Sequence, residues 1–214
     1  MTNKPTKLLE GAYDLQSAQD NIAYYKDFAA QYDAGFADAL GYNSPTALAE
    51  VFQELSTEKD TPIADIGCGT GLVAQALGLP EKIMDGYDIS AEMLDKARVK
   101  KLYRTLYLAN LKQSLKAYPN NYGALISAGT FTLGHLGPAD LENLLGLLQK
   151  GGLVCVTVST KHYNEQGFAK FMDKLHHMGK ITCPEIHKIS IYNGKKPHGH
   201  ASDTMQILCF RKTL

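Results

Sequence analysis

From Thr61 onward, short apolar segments alternate with amphipathic, helix-like segments. This alternation is typical of a parallel sheet whose two faces are both covered by helices. The predicted strands cover residues 62–66, 82–87, 105–108, 124–127 and 153–158. The predicted helices between them cover residues 72–77, 91–100, 111–117 and 138–149. The chain is therefore expected to form a doubly wound α/β domain.

The C-terminal part of the chain departs from this alternation. After a predicted helix at residues 167–177, two longer alternating runs cover residues 181–192 and 204–211. Only the loop at residues 193–203 separates these runs, so we expect them to pair antiparallel as a hairpin. The sequence thus predicts a Rossmann-like, mostly parallel sheet of seven strands with an antiparallel C-terminal hairpin strand.

The N-terminal part has a helical pattern. Apolar and aromatic side chains recur there at three- and four-residue steps, namely Ile22, Tyr25, Phe28, Ala29 and Tyr32. Ser44 and Pro45 suit the N-cap and the first turn of a following helix. We predict an N-terminal helical cap at residues 1–58, which belongs to the same domain as a core at residues 59–214.

Composition argues against several classes of protein. The 22 Lys and Arg residues balance the 22 Asp and Glu residues, and no block of like charge stands out, so a nucleic-acid partner is not expected. The cysteines are scattered singly and are expected to be reduced. No segment approaches the ~20 apolar residues that span a membrane. We expect a cytoplasmic monomer or homodimer without a membrane contact.

A glycine-rich segment follows the first predicted strand directly. It reads Asp65-Ile66-Gly67-Cys68-Gly69-Thr70-Gly71 and leads into the predicted helix at residues 72–77. Glycines allow sharp turns and close approach of a ligand, and a helix start offers unpaired N–H groups, so the segment predicts a nucleotide-type binding loop. The third glycine comes one residue too early for the G-x-G-x-x-G spacing of dinucleotide-binding proteins. This spacing argues against nicotinamide and flavin.

A carboxylate ends the second predicted strand. Asp88 lies 21 residues after Gly67, followed by Ser90, which suits the N-cap of the next helix. A carboxylate at this position can accept hydrogen bonds from both vicinal hydroxyls of a ribose. Met93 faces either the core or the edge of a purine. The glycine segment and Asp88 together favour an adenosine ligand.

These segments resemble the class I S-adenosylmethionine (SAM)-dependent methyltransferase family. The glycine segment is similar to the first motif of the family, residues 87–97 (YDISAEMLDKA) to its second, and residues 150–153 (KGGL) to the turn before its fifth strand. The resemblance implies that SAM is the methyl donor and S-adenosylhomocysteine (SAH) the product. It also implies that SAM lies across the carboxyl ends of the strands.

The resemblance implies roles for individual residues. The glycines would line the methionine and ribose side of SAM, and Asp65 would lie beneath its amino group, directly or through water. The family usually places an acid against the adenine amine, and Asn110 at that position offers an uncharged carbonyl acceptor. The implied SAM-binding residues are Tyr32, Asp65, Gly67, Cys68, Gly69, Gly71, Asp88, Ile89, Met93, Asn110, Leu111, Ala128 and Gly129.

The segment after the fourth predicted strand faces the sulfonium and the acceptor in this family. Ala128 and Gly129 are small enough to let the methyl donor approach. His135 suits a general base for an acceptor hydroxyl or amine, because an unperturbed histidine has a pKa of ~6.5. The alternative interpretation of His135 is a histidine that hydrogen-bonds the backbone. No metal site is predicted.

Residues 24–33 resemble the cap segment with which many small-molecule methyltransferases close over SAM. In that subgroup the tyrosine before the aspartate contacts the carboxylate end of SAM, which points to Tyr32. An aromatic stripe that packs the cap onto the sheet is the alternative. The cap, residues 129–132 and residues 152–154 also look like the methyltransferase-like proteins named after the Williams–Beuren region, and that resemblance supplies no acceptor.

The leading prediction is an enzyme that methylates O, N or S of a small-molecule acceptor. A SAM-binding regulatory or accessory protein without turnover is one alternative, and a protein or RNA methyltransferase is another. His198 and His200 are interpreted as part of a solvated hairpin loop, against a thin alternative of a two-histidine metal site.

Overall fold

A computed structural model describes residues 11, 20, 24, 26, 32–80, 83–193 and 198–214. Several positions of the predicted cap stripe lie outside the described residues: Ile22, Tyr25, Phe28 and Ala29. The described N-terminal segment starts with a π-helical turn, Tyr32–Ala37, which continues as a helical turn, Asp38–Leu40. We refer to Tyr32–Leu40 as the N-terminal helical segment. No helix of the described part of the chain is long and apolar enough to cross a bilayer.

Seven strands form one mixed sheet. Their bounds are Ile63–Ile66 (β1), Met84–Asp88 (β2), Thr105–Leu108 (β3), Tyr122–Phe131 (β4), Leu148–Ser159 (β5), Glu185–Ser190 (β6) and Thr204–Arg211 (β7). The order across the sheet is β3-β2-β1-β4-β5-β7-β6, and β7 runs antiparallel to both of its neighbours. The predicted Rossmann-like sheet with an antiparallel hairpin strand is therefore confirmed.

Helices cover both faces of the sheet. Their bounds are Ser44–Leu55 (α1), Leu72–Leu77 (α2), Ala91–Lys100 (α3), Pro138–Leu144 (α4), Thr160–Glu165 (α5) and Phe168–His177 (α6). Leu125 and Ile126 are adjacent on β4 and fully buried in opposite cores, as successive strand residues must be. One core takes side chains from α1, α2 and α3, the other from α4, α5 and α6.

Two predicted helices differ from the structure. Residues 111–117 form turns and no helix. The Asn110 carboxamide accepts a hydrogen bond from the Lys112 backbone, and such local bonds compete with a helix. The helix predicted at residues 138–149 ends at Leu144, and a 3₁₀ turn leads into β5 at Leu148. The Lys212 ammonium group ends this turn by donating to the carbonyls of Leu145 and Leu148.

Smaller differences concern helix starts. Asn43 is the N-cap of α1, one residue before the predicted Ser44, and Pro45 lies in the first turn as predicted. Helix α5 was not predicted. The Ser159 hydroxyl caps it by accepting a hydrogen bond from the His162 backbone N–H. Ser90 caps α3 in the same way by accepting from the Met93 N–H, as predicted.

Candidate functional site

A cavity opens at the carboxyl ends of β1, β2 and β4. The strand β1 pairs with β2 on one side and with β4 on the other, so the chain reverses its direction of progress across the sheet here. Open α/β sheets bind ligands at such a switch point. The cavity holds about 760 Å³ of empty space, part of it open to solvent. Its walls are formed by Tyr32, Gly67, Gly69, Asp88, Ile89, Met93, Asn110, Leu111, Lys112, Ala128, Gly129, Thr130, Gly134, His135 and Leu136.

The glycine loop between β1 and α2 forms the floor of the cavity. Gly67 and Gly69 have positive φ angles of 66° and 52°, which side chains other than glycine adopt at a cost. A Cβ atom at position 67 would lie 2.2 Å from the Thr130 hydroxyl oxygen. The Cys68 N–H donates to the Tyr87 carbonyl at 3.0 Å, which ties the loop to β2. The sequence thus folds a backbone surface that approaches the cavity without side chains in between.

Asp88 stands at the edge of this loop. Its Oδ2 atom accepts a hydrogen bond from the Gly69 N–H at 2.8 Å, and its Oδ1 atom accepts one from the Ser90 N–H at 2.9 Å. Burial raises the pKa of the Asp88 carboxyl, and the hydrogen bonds from the backbone oppose this shift. Each carboxylate oxygen can accept more than one hydrogen bond. The carboxylate therefore keeps acceptor capacity toward the cavity.

The wall beside Asp88 is mostly apolar. Ile89, Met93 and Leu111 line it, and Met93 and Leu111 are 3% and 6% exposed. Asn110 also lines this wall, and its Oδ1 atom accepts a hydrogen bond from the Lys112 N–H at 3.1 Å. Part of the acceptor capacity of Asn110 is thus used within its own turn. The wall suits a flat, weakly polar ring.

Three predicted site residues lie outside the cavity wall, namely Asp65, Cys68 and Gly71. Asp65 is fully buried below the glycine loop, where its Oδ2 atom accepts a hydrogen bond from the Tyr103 hydroxyl at 2.7 Å. Its Oδ1 atom is enclosed and has no hydrogen-bond partner among the described residues. Burial raises the pKa of Asp65 to about 7, against the Tyr103 hydrogen bond and with help from the charge of Asp88.

The two other residues shape the loop. The Cys68 side chain is 6% exposed and packs in the core with α2 and α3. Burial raises the pKa of its thiol well above the ordinary value. Gly71 precedes α2 with a φ of 88°, and a Cβ atom there would lie 3.1 Å from the Tyr103 ring. Both residues therefore affect the cavity indirectly, by fixing the shape of the glycine loop.

The segment after β4 forms the opposite wall. Ala128 and Gly129 line it, and the Gly129 N–H donates to the Thr157 hydroxyl at 2.9 Å. A Cβ atom at position 129 would lie 2.5 Å from the Tyr42 hydroxyl, so this hydroxyl lies directly against the wall. Small residues thus form this wall at the point where the family resemblance places the methyl group.

His135 lies in the same wall. Its Nδ1 atom is 2.7 Å from the Thr132 hydroxyl, and the direction of this bond depends on the tautomer. Burial lowers the pKa of His135 to about 4, with contributions from the charges of Lys112 and His162. A hydrogen bond with the backbone of Leu133 opposes the shift. The imidazole is therefore neutral at physiological pH.

Tyr32 lines the cavity from the N-terminal helical segment, in agreement with its predicted position. No role is predicted for Asp33, which follows it. The Asp33 Oδ1 atom accepts a hydrogen bond from the Thr70 hydroxyl at 2.6 Å, and Oδ2 forms an ion pair with Lys100 at 2.6 Å. The sequence signal for a role of Asp33 is its position directly after Tyr32 in the cap segment. The other wall residues without a predicted role are Lys112, Thr130, Gly134 and Leu136.

The hairpin-loop histidines lie away from the cavity wall. The His200 Nδ1 atom is 2.9 Å from Asp203 Oδ2, and the His198 ring packs edge-on against Tyr192 at 4.6 Å. Lys195 and Lys196 of the same loop lie outside the described residues. Across the described ranges, His, Cys, Asp and Glu side chains form no group of three that could hold a metal.

A family model described as a methyltransferase domain matches residues 63–152, from β1 to the start of β5. This stretch contains the glycine loop, Asp88 and most of the cavity wall. Residues 63–152 thus carry a methyltransferase domain of the class I SAM-dependent type. SAM is accordingly its methyl donor and SAH its product. No curated protein matches the sequence significantly. Membership of the Williams–Beuren subgroup stays a prediction.

Solved structures share the fold. The [4+2]-cyclase SpnF is 17% identical, covers 94% of this chain and 98% of its own, and gives a TM-score of 0.65. The SAH complex of DhpI is 17% identical over 92% and 97% of the two chains, with a TM-score of 0.62. A TehB-like SAM-dependent methyltransferase from Corynebacterium glutamicum is 18% identical over 89% and 99%, with a TM-score of 0.60. Proteins named as a cyclase and as a methyltransferase thus share this fold, so the reaction has to be inferred from the residues of the site.

Proposed function

We propose that this methyltransferase binds SAM in the cavity described above and methylates O, N or S of a small-molecule acceptor. The observation that carries the proposal is the arrangement of the two walls. The glycine loop and Asp88 form one wall, and Gly129 and His135 form the other.

The donor wall fits the groups of SAM. Asp88 would accept hydrogen bonds from the ribose hydroxyls, and the apolar wall of Ile89, Met93 and Leu111 would hold the adenine. Gly67 and Gly69 would let the backbone approach the methionine part, whose carboxylate end Tyr32 would contact. Asp65 would act from below the loop on the amino group, because its Oδ1 atom is enclosed without a partner among the described residues.

SAM supplies an electrophilic methyl group, so the protein mainly has to orient the acceptor and exclude water. Ala128 and Gly129 keep the wall beside the methyl group free of bulk. A neutral His135 can accept a hydrogen bond or a proton from the acceptor through Nε2 when Nδ1 carries the hydrogen. A pKa of about 4 makes it a weak base, since a base acts best when its pKa is near the working pH. We therefore assign His135 the orientation of the acceptor and only modest proton transfer.

The names of structural neighbours support a small acceptor. They include the plantazolicin methyltransferase BpumL with SAH, 15% identical with a TM-score of 0.61, and a possible histamine N-methyltransferase from Thermotoga maritima, 17% identical with a TM-score of 0.57. We propose further that residues 1–58 belong to the same domain as residues 59–214, because Leu48 and Phe52 of α1 are buried in the sheet core. A cytoplasmic monomer or homodimer is our expectation for the whole protein.

Calorimetric titration with SAM, SAH and NAD tests the donor site. We expect SAM and SAH to bind and NAD not to bind. An acceptor panel of phenols, amines and thiols, with SAH formation as the readout and Asp88→Ala as the inactive control, tests the acceptor class. Binding of NAD without SAM would contradict the proposed site. SAH formation with an RNA or protein acceptor, and none with small molecules, would contradict the proposed acceptor.

A further inference from the structure

One carboxylate joins three elements around the cavity. Asp33 lies in the first turn of the N-terminal helical segment. Its two oxygens contact Thr70, which belongs to the glycine loop, and Lys100, the last residue of α3. Thr70 is only 2% exposed, and the side chains of Lys100 and Asp33 are 22% and 38% exposed. This is a half-buried contact and differs from a solvated surface pair.

We propose that Asp33 is a positioning residue that holds Tyr32 in the cavity wall at a fixed distance from the glycine loop. The inference rests on the proposed function of the cavity as the SAM site. Tyr32 and Gly69 both line the cavity, and their neighbours in sequence, Asp33 and Thr70, are hydrogen-bonded to each other at 2.6 Å. One hydrogen bond therefore connects the segment that carries Tyr32 to the glycine loop, and the methionine part of SAM would lie between the two.

The rest of the N-terminal helical segment is anchored in another way. Ala37 and Leu40 are buried in a small core with Ile191, Tyr192 and Met205 of the C-terminal hairpin region. Hydrophobic burial is independent of the Asp33 charge, so this end of the segment should stay in place when Asp33 is replaced. Tyr32 packs against the edge of the same core and is only partly buried there. Loss of the carboxylate is therefore expected to loosen the Tyr32 end and to leave the rest of the segment in place. A purely structural ion pair would instead affect overall stability and leave the ligand affinity unchanged.

The charge makes the contact suitable for this role. A hydrogen bond to a carboxylate is shorter and about twice as strong as a neutral one. Lys100 adds attraction that a partly buried environment screens less than water does. Asp38 of the same segment is exposed, so it offers a matched control for the loss of one negative charge near the segment.

Two measurements test the inference. The first is the affinity for SAH by calorimetry in Asp33→Ala, Thr70→Val and Lys100→Met, singly and combined, with Asp38→Ala as the control. We expect Asp33→Ala to raise the Kd about tenfold and the other two changes about threefold each, as for the loss of one or two charge-assisted hydrogen bonds. Adding either change to Asp33→Ala should have no further effect, since the contact is already broken.

The second measurement needs no ligand. The chain contains no tryptophan, so Tyr32→Trp introduces a single fluorescent reporter in the cavity wall. We expect Asp33→Ala to increase the quenching of this reporter by acrylamide at least twofold, with an unfolding temperature close to that of the Tyr32→Trp parent. Lys100→Met, which lies outside the segment, should increase quenching in the same direction.

The outcomes separate the two proposals. Unchanged quenching in Asp33→Ala overturns the inference, and so do affinity changes in SAH binding that add up fully in the combined variants. A parent protein that binds no SAH contradicts the proposed function, while an increase in quenching still supports the positioning of Tyr32. A drop in unfolding temperature in Asp33→Ala without a change in Kd assigns the contact to stability and also overturns the inference.

Discussion

The two walls of the cavity are built by different means. The wall after β1 and β2 is positioned by backbone groups: Gly67 and Gly69 turn at positive φ, and two backbone N–H groups hold the Asp88 carboxylate. The wall after β4 depends on side chains from distant segments, such as Tyr42 against Gly129 and Lys112 near His135. Both walls line the same space.

The two walls therefore differ in how clearly they can be recognised in the sequence. Backbone geometry needs particular residue types in a fixed spacing, so the donor wall carries a recognisable motif. A side-chain wall can be assembled from many combinations, provided that the fold brings them together. We therefore expect substitutions in the donor wall to change SAH affinity and those in the β4 wall to change turnover.

The largest effect is expected for Asp88→Ala. It should weaken SAH binding about 100-fold, since each hydrogen bond to a charged group contributes roughly 1.5 to 3 kcal/mol. Calorimetry measures this change. Asp95→Ala removes an exposed carboxylate of α3, whose side chain is 69% exposed, and should leave the Kd unchanged. A native affinity in a well-folded Asp88→Ala protein would show that the ribose does not bind here.

Gly67→Ala and Gly69→Ala separate backbone strain from a steric clash. Both impose a positive φ on alanine, which costs about 1 to 2 kcal/mol of stability. Only Gly67→Ala also drives a Cβ atom toward Thr130, so its free energy of unfolding should fall by about 2 kcal/mol more than that of Gly69→Ala. Chemical denaturation measures the difference. Thr130→Ala in the Gly67→Ala background should recover part of the loss; equal stability of the two glycine variants would contradict this account.

His135→Gln tests the β4 wall. We expect kcat to fall about tenfold at pH 7.5 with an unchanged Kd for SAH, because a weak base and an orienting group contribute modestly. The unfolded histidine takes up a proton at a higher pH than the folded one, whose pKa is about 4. The contribution of the neutral His135 to the free energy of unfolding is therefore fully present above pH 6.5 and is lost as the pH falls toward 4. His135→Gln should reduce this acid sensitivity, and a kcat loss mirrored in the Kd would place His135 in donor binding instead.

The smallest effect is expected for Asn110→Ala. Because the Asn110 oxygen already accepts the Lys112 N–H, its loss should weaken SAH binding only about threefold, close to 0.6 kcal/mol. Lys116→Ala, an exposed change in the same turn region, serves as the control. A loss of thirtyfold or more in Asn110→Ala would indicate that this side chain is the main adenine contact.

Much of the donor wall could be predicted from sequence. Short strands followed by glycines and Asp88 make local demands on the backbone, and these demands are visible as spacing. Strands β3 and β7 have the predicted bounds, as do helices α2 and α3. The family resemblance also points to Tyr32 and His135, and both line the cavity. Their roles in binding and catalysis stay predictions.

Tertiary structure decided what local pattern could not. The apolar spacing of residues 111–117 suited a helix, but the chain forms turns there, with Leu111 and Leu115 buried in the core shared with α4, α5 and α6. Asp65 belongs to the most specific motif, yet it is buried below the glycine loop, where it accepts a hydrogen bond from the Tyr103 hydroxyl. Burial raises its pKa to about 7 although this hydrogen bond opposes the shift.

Asp33 shows the same division. Its sequence neighbourhood marks a cap segment, whereas its two partners lie 37 and 67 residues further along the chain, in the glycine loop and at the end of α3. The order of strands and helices and the glycine loop could be read from the sequence, because they follow from backbone geometry over short spans. The SAM-binding family followed from the resemblance of the motifs. The cavity wall after β4, the burial of Asp65 and the contact of Asp33 depend on which distant side chains meet, and only packing of the whole chain decides that.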